Sequence, residues 1–250
     1  MSKTAEAQRR YRARGGSAEI SVKERINNAK DLKSLHDVLY NEYGITVKQN
    51  TLQGADFETV KQAAIGITTV IDEFPQAADY FHELNGDVTK SNAYAHATFY
   101  GQISINPTLF KSSESLQKQY DVDLRNEFHP KGTTSAHITS HEAGHVLEKA
   151  LIDKYVIHPM GGAWERQAKV NAWNKHWQAQ KVLSEAVKAV KKTPYGKGKK
   201  QADLFKAVSK YASTNRSETL AECVADYTAN RGNANPLSIQ VWNILKRELG

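Results

Sequence analysis

The most chemically loaded stretch of this 250-residue sequence is His141-Glu142-Ala143-Gly144-His145. Two histidines four apart on a helix project from one face, about one turn apart, so both imidazoles can reach a single metal ion. The glutamate beside the first histidine then stands next to an open coordination position, where it can take a proton from metal-bound water. With 9 histidines in the chain, chance alone gives only about 0.02 such matches, so the motif points to a metal site. Ala136, Ala143, Val146, Leu147, Ala150 and Leu151 lay an apolar stripe around it. Thr133, Thr134 or Ser135 can cap a helix running from there to about Tyr155.

A catalytic zinc needs a third protein ligand. His137, His141 and His145 span about 12 Å along a straight helix and cannot all bind one ion. His137 therefore reads as a supporting or surface residue, and His158 and His176 have no supporting pattern. The acidic row Glu218, Glu222 and Asp226 is better placed. Its members are spaced by four on one face of a downstream helix, with Leu220, Cys223, Val224 and Tyr227 on the other. Asn215-Arg216-Ser217-Glu218 also reads as a helix N-terminus, with Asn at the cap and Glu three residues on. Periodicity alone does not choose between Glu218 and Glu222. Cys223 is the only cysteine, so neither an intrachain disulfide nor a cysteine-based metal site can form.

The elements that must position these residues are mostly helical. Ser21 to Tyr43 reads as one amphipathic helix stopped by Gly44. Asp56 to Glu73 reads as a second, ended by Pro75. A short helix to Leu84 and an Asn85-Gly86 turn are expected next. Residues 92–106 alternate and are rich in β-branched and aromatic types, which predicts two strands joined at Tyr100-Gly101 and ended by Pro107. Residues 112–127 read as helical in part, and 163–192 as one long helix. After a basic break at 193–200, helices are expected at about 201–212, 216–229 and 236–249, the last opened by Asn235-Pro236. Trp164, Trp173, Trp177 and Trp242 read as core residues. The class is α+β with helices dominant and a small sheet.

Lys plus Arg is 34 and Asp plus Glu is 27, a formal net charge of +7. Residues 1–14 carry +4 and read as part of a disordered basic arm, residues 1–18. Residues 181–200 carry +6, leaving −3 on the rest. The two tracts can bind nucleic acid weakly by counterion release, although no aromatic interleaving or zinc-finger pattern accompanies them. No apolar run is long enough to span a membrane and no secretory signal peptide is evident, so a cytoplasmic location is expected.

The segment from Tyr211 to Glu222 resembles the second signature of the gluzincin metallopeptidase domains typified by the anthrax lethal factor. There a Tyr stands seven residues before a zinc-binding Glu, an Asn three before it, and a second Glu four after. Tyr211, Asn215, Glu218 and Glu222 fill these places, and His141 to His145 matches the family's H-E-x-G-H helix. Ile103-Ser104-Ile105-Asn106 is similar to its substrate-binding edge strand. Thr219 and Leu220 depart from the aromatic or large apolar residues often found after the ligand.

The resemblance implies a single zincin-like domain over 19–250, with a helical part at about 19–88 and a catalytic part at about 89–250 that includes a lysine-rich insertion near 181–200. It implies Zn²⁺ on His141, His145 and Glu218, with Glu142 as general base. Tyr211 would donate to the oxyanion, Glu222 would orient a zinc-binding histidine, and residues 103–106 would hold an extended peptide. The function implied is zinc-dependent endopeptidase activity on a peptide or protein. Related domains occur in phage and prophage proteins described as minor capsid or head proteins. Capsid or assembly partners, a virion-associated location and a purely structural role on the same scaffold are therefore the competing expectations. A nucleic-acid-associated protein using residues 1–14 and 181–200 is another.

Overall fold

The computed structural model describes residues 20–87 and 92–250; the basic arm at 1–18 lies outside them. Reciprocal capping shapes the first helices. Ser21 and Glu24 bond each other's backbone N–H at the start of α1 (Val22–Asn28), and Asp31 and Ser34 do the same for α2 (Leu32–Tyr43). The segment expected as one helix is thus two. The Asp31–Ser34 box starts a new helix just after Ala29 turns extended. Gly44, at φ 72°, ends α2 as expected. Asp56 caps α3 (Phe57–Glu73), and Pro75–Tyr80 is a 3₁₀ turn.

Among the described residues the sheet has four strands, β1 (Thr46–Val47), β2 (Glu83–Gly86), β3 (Ala95–Ala97) and β4 (Gln102–Ile105), in the order β1-β2-β4-β3. Leu84 to Gly86 is therefore strand, not the end of a helix followed by a turn. Its partners are β1 and β4, both parallel and distant in sequence, and a local pattern does not register them. The β3–β4 hairpin is antiparallel and turns at Tyr100-Gly101 as expected, with Gly101 at φ 72°.

The edge strand is not 102–106. β4 is paired on both sides, and Ile103, Ser104, Ile105 and Asn106 are all buried. A strand flanked on both sides has no free backbone to offer, so among the described residues the edge on this side belongs to β3. Thr98 N–H bonds Gln102 O and Asn106 N–H bonds Tyr94 O. By alternation, the peptide groups of Ala95 and Ala97 point away from β4.

Helices dominate the rest: α4 (Ser113–Arg125), α5 (Ile138–Tyr155), α6 (Gly162–Asn174), α7 (Trp177–Val190), α8 (Gln201–Lys206), α9 (Arg216–Asn230) and α10 (Pro236–Leu249). The expected long helix over 163–192 is two, broken at His176, which takes φ 52°. No Gly or Pro marks this break. The lysine-rich stretch divides in two, helix and then break, close to the expected boundary. To Val190 it is α7, which buries Val182, Leu183, Ala186, Val187 and Val190, and only 191–200 is irregular.

The helix carrying the two histidines, α5, lies in the core and is buried on nearly every face between Ile138 and Ile152. It packs against α3, α9 and the edge strand β3. Thr139 and Ser140 donate their hydroxyls to the α3 carbonyls of Ala63 and Gly66. On the α9 side, a Cβ added at Gly144 would lie 2.8 Å from Ala221 Cα, so the two backbones approach as closely as only glycine allows. Among the described residues, no helix is long and apolar enough to cross a membrane.

Candidate metal centre

His141 and His145 stand one turn apart on α5, with ring centroids 5.0 Å apart. Glu218 comes from the first turn of α9. Asn215 accepts its N–H at 3.0 Å, so the cap half of the expected capping box is present. The carboxylate does not turn back to the cap; it faces the two imidazoles. Oε2 lies 3.0 Å from His141 Nε2 and 3.4 Å from His145 Nε2. One ligand atom from each of the three residues lies within 4.8 Å of the others, and the group can hold a metal ion.

The outer nitrogens fix what the inner ones present. His141 Nδ1 is 2.7 Å from Glu222 Oε1, an acceptor-only carboxylate oxygen, so Nδ1 carries the proton. His145 Nδ1 is 2.9 Å from Ser217 Oγ, whose own proton goes to Glu148 Oε2 at 2.6 Å. In the neutral tautomers both Nε2 lone pairs therefore aim at the Glu218 carboxylate. Glu218 Oε2 is buried with no hydrogen-bond partner of acceptable geometry. Three lone-pair donors facing one another in a desolvated spot could hold a metal ion between them.

The electrostatics show how strongly these groups act on one another. Burial alone would raise the Glu218 carboxyl, yet the adjacent imidazoles of His141 and His145 hold it well below its ordinary range. Burial also works against Glu222, but His129 and His141 bring it down to about 2. Burial would lower His141 and His145. Glu218 and Glu222 push His141 well up, and Glu218 above all raises His145. Without a metal, protons supply the positive charge.

Tyr211 sits in a 3₁₀ turn (Tyr211–Ser213), its ring stacked on His141 at 5.6 Å and on Phe128 at 4.9 Å. Burial first, then the charges of Glu218 and Glu142, push its phenol up, so it keeps its proton at neutral pH. Glu142 is buried on α5 beside His141.

The acidic row divides into three jobs. Glu218 faces the imidazoles and Glu222 supports His141. Asp226 accepts from Asn230 Nδ2 and the Asn235 N–H, and is not part of the cluster. His137, His158 and His176 stay outside it too. His137 Nδ1 takes the Thr134 N–H, His158 stacks on Trp164, and His176 makes the α6–α7 break.

Only part of the tryptophan expectation survives. Trp242 is core, edge-on to Phe74, whereas Trp164 and Trp177 are 60% and 45% exposed. Trp173 is half-buried, 6.5 Å from the His145 ring. Cys223 is buried, and burial raises its thiol.

Four further residues support the cluster beside those expected from the sequence. Ser209 donates to Glu222 Oε2 at 2.7 Å. His129 lies flat on Tyr120 at 4.5 Å with Nδ1 3.6 Å from Glu222 Oε1. Ser217 and Glu148 support His145. Of these, only Ser217 had a signal, as the neighbour of Glu218; the rest meet the site through tertiary packing. The chain matches no family model, and comparison with curated proteins and with solved structures gives no match.

Proposed function

We propose that the protein is a zinc-dependent endopeptidase. The observation that carries this is the convergence of His141 Nε2, His145 Nε2 and Glu218 Oε2, the last a buried atom. Two imidazoles and one carboxylate make a donor set suited to zinc, with a coordination position left over. Zinc bound there would supply Lewis-acid chemistry and lower the pKa of a coordinated water to about 7.

The chain's own residues do the rest. Glu142 accepts a proton from the attacking water and passes it to the leaving amine. Tyr211, protonated and stacked on His141, donates its O–H to the carbonyl oxygen of the scissile bond as negative charge develops there. Glu222 holds the His141 ring by its Nδ1–H. The outward peptide groups of Ala95 and Ala97 on β3, which packs against α5, hold an extended peptide by strand addition. This role passes to β3 because residues 103–106 are interior. The resemblance of His141–His145 and Tyr211–Glu222 to gluzincin signatures supports the same reading.

The test is metal analysis of the purified protein with a proteome-wide cleavage assay on wild type and Glu142→Ala. One zinc per chain is expected, with cleavage by the wild type alone. Equal cleavage by both proteins, or a chain that takes up no zinc, would overturn the proposal.

A further inference from the structure

Resting on that zinc site, we propose that Ser217 and Glu148 form a proton-ordered relay that positions His145 and sets its tautomer for the metal. The two histidines are not held alike. His141 Nδ1 meets a carboxylate directly, at Glu222 Oε1. His145 Nδ1 meets a hydroxyl, Ser217 Oγ, at 2.9 Å, and that hydroxyl is 2.6 Å from a second carboxylate, Glu148 Oε2. A serine hydroxyl has one proton. Spent on Glu148, it leaves Ser217 able only to accept from His145. Nδ1 must then be the N–H, and the Nε2 lone pair is free for a metal.

Glu148 makes the order rigid. It is 0% exposed, and its other oxygen takes the Ala179 N–H at 3.2 Å in the first turn of α7. Both oxygens are thus committed, and Ser217 cannot choose another acceptor without leaving a buried carboxylate short of a donor. Ser217 immediately precedes Glu218, so the relay also ties the turn carrying one ligand to the imidazole of another. Glu148 lies three residues after His145 on α5, and the two neighbouring side chains join through a residue of α9.

The competing account is that Glu148 merely receives the α7 N-terminus. It separates from the relay through metal affinity, because a cap for α7 has no bearing on the His145 tautomer. In Glu148→Gln, the amide oxygen can still take the Ala179 N–H, and the amide N–H₂ then points at Ser217. The hydroxyl proton turns to His145 Nδ1, which puts the imidazole proton on Nε2, where the metal should bind. Ser217→Ala removes the link outright.

The experiment measures zinc affinity by chelator competition on wild type, Ser217→Ala, Glu148→Gln and the double variant, with thermal unfolding of each metal-free protein alongside. Each single variant is expected to bind zinc roughly 10–100-fold more weakly, the usual effect of removing such support. The double variant should bind no more weakly than the worse single, because both break one chain. Should Glu148→Gln fail to fold, Ser217→Ala decides alone. Wild-type affinity in Ser217→Ala, or losses that simply add in the double variant, would overturn the relay while leaving the zinc site intact. A wild-type chain that does not bind zinc would overturn both.

Discussion

Glu142, buried, and Glu218, half-buried, both lie beside His141, yet their substitution should have opposite signatures. Glu142 is outside the group of converging donors, so Glu142→Gln should keep zinc and the fold while peptide cleavage falls about 10²–10⁴-fold, the range for a lost general base. Metal content and kcat measured on the same preparation check this; a zinc-free Glu142→Gln protein would make Glu142 a ligand instead. Glu218→Ala should lose the metal, whereas Glu222→Ala should keep it about 10–100-fold more weakly. Chelator competition on the pair decides. The histidine pair and the acidic row were legible from spacing, but the choice between Glu218 and Glu222 was not, since both lie on one helical face. About 6 Å of helix rise separates them. That rise sets Glu218 at the inner nitrogens and Glu222 at the outer nitrogen of His141. His129, Ser209 and Glu148 were illegible because nothing local distinguishes a polar residue that meets a site from one that meets water.

At the scale of elements, the centre exists because α5 and α9 touch backbone to backbone. Gly144 is where they meet, with Ala221 one residue before Glu222. Gly144→Ala places a methyl 2.8 Å from Ala221 Cα and must push the helices apart. The cost should be about 1–3 kcal/mol, as for other overpacked contacts, despite the better helix propensity of alanine. Because Glu218 rides on the displaced helix, zinc affinity should fall with it. Denaturant titration and zinc competition on this variant check both parts, and a stabilised variant with unchanged affinity would contradict the close-packing account. The β3–β4 hairpin was legible from alternation and its Tyr100-Gly101 turn, yet which strand forms the edge was not. That depends on β2 adding to β4 from sixteen or more residues away, in parallel. The break at His176 was hidden for a similar reason, since part of what receives the new α7 N-terminus is Glu148, from another helix.

For the molecule as a whole, the cluster makes stability depend on pH, and the stabilisation by zinc should depend on pH in the opposite sense. Glu222 is depressed to about 2 and Glu218 further still. Their contribution is complete above the ordinary glutamate value of 4.5 and drains away as pH falls through the folded-state values. His141 and His145 are raised above 6.5, so theirs is complete below that value and is lost as pH rises through the folded-state values. These are two views of one set of pairs, and both partners are charged together between about 4.5 and 6.5. The metal-free protein should therefore be most stable in that interval and weaken on either side. Zinc must displace the imidazolium protons to bind, so its affinity, and with it the stabilisation by mass action, rises with pH over the range in which those protons leave. The expected outcome is a gain in Tm on adding zinc that is small near pH 5.5 and grows towards pH 8, while the metal-free Tm falls over the same interval. Paired thermal scans at fixed zinc concentration measure it. A gain that does not change with pH would mean that the ion does not compete with protons on His141 and His145, and would place it elsewhere on the protein.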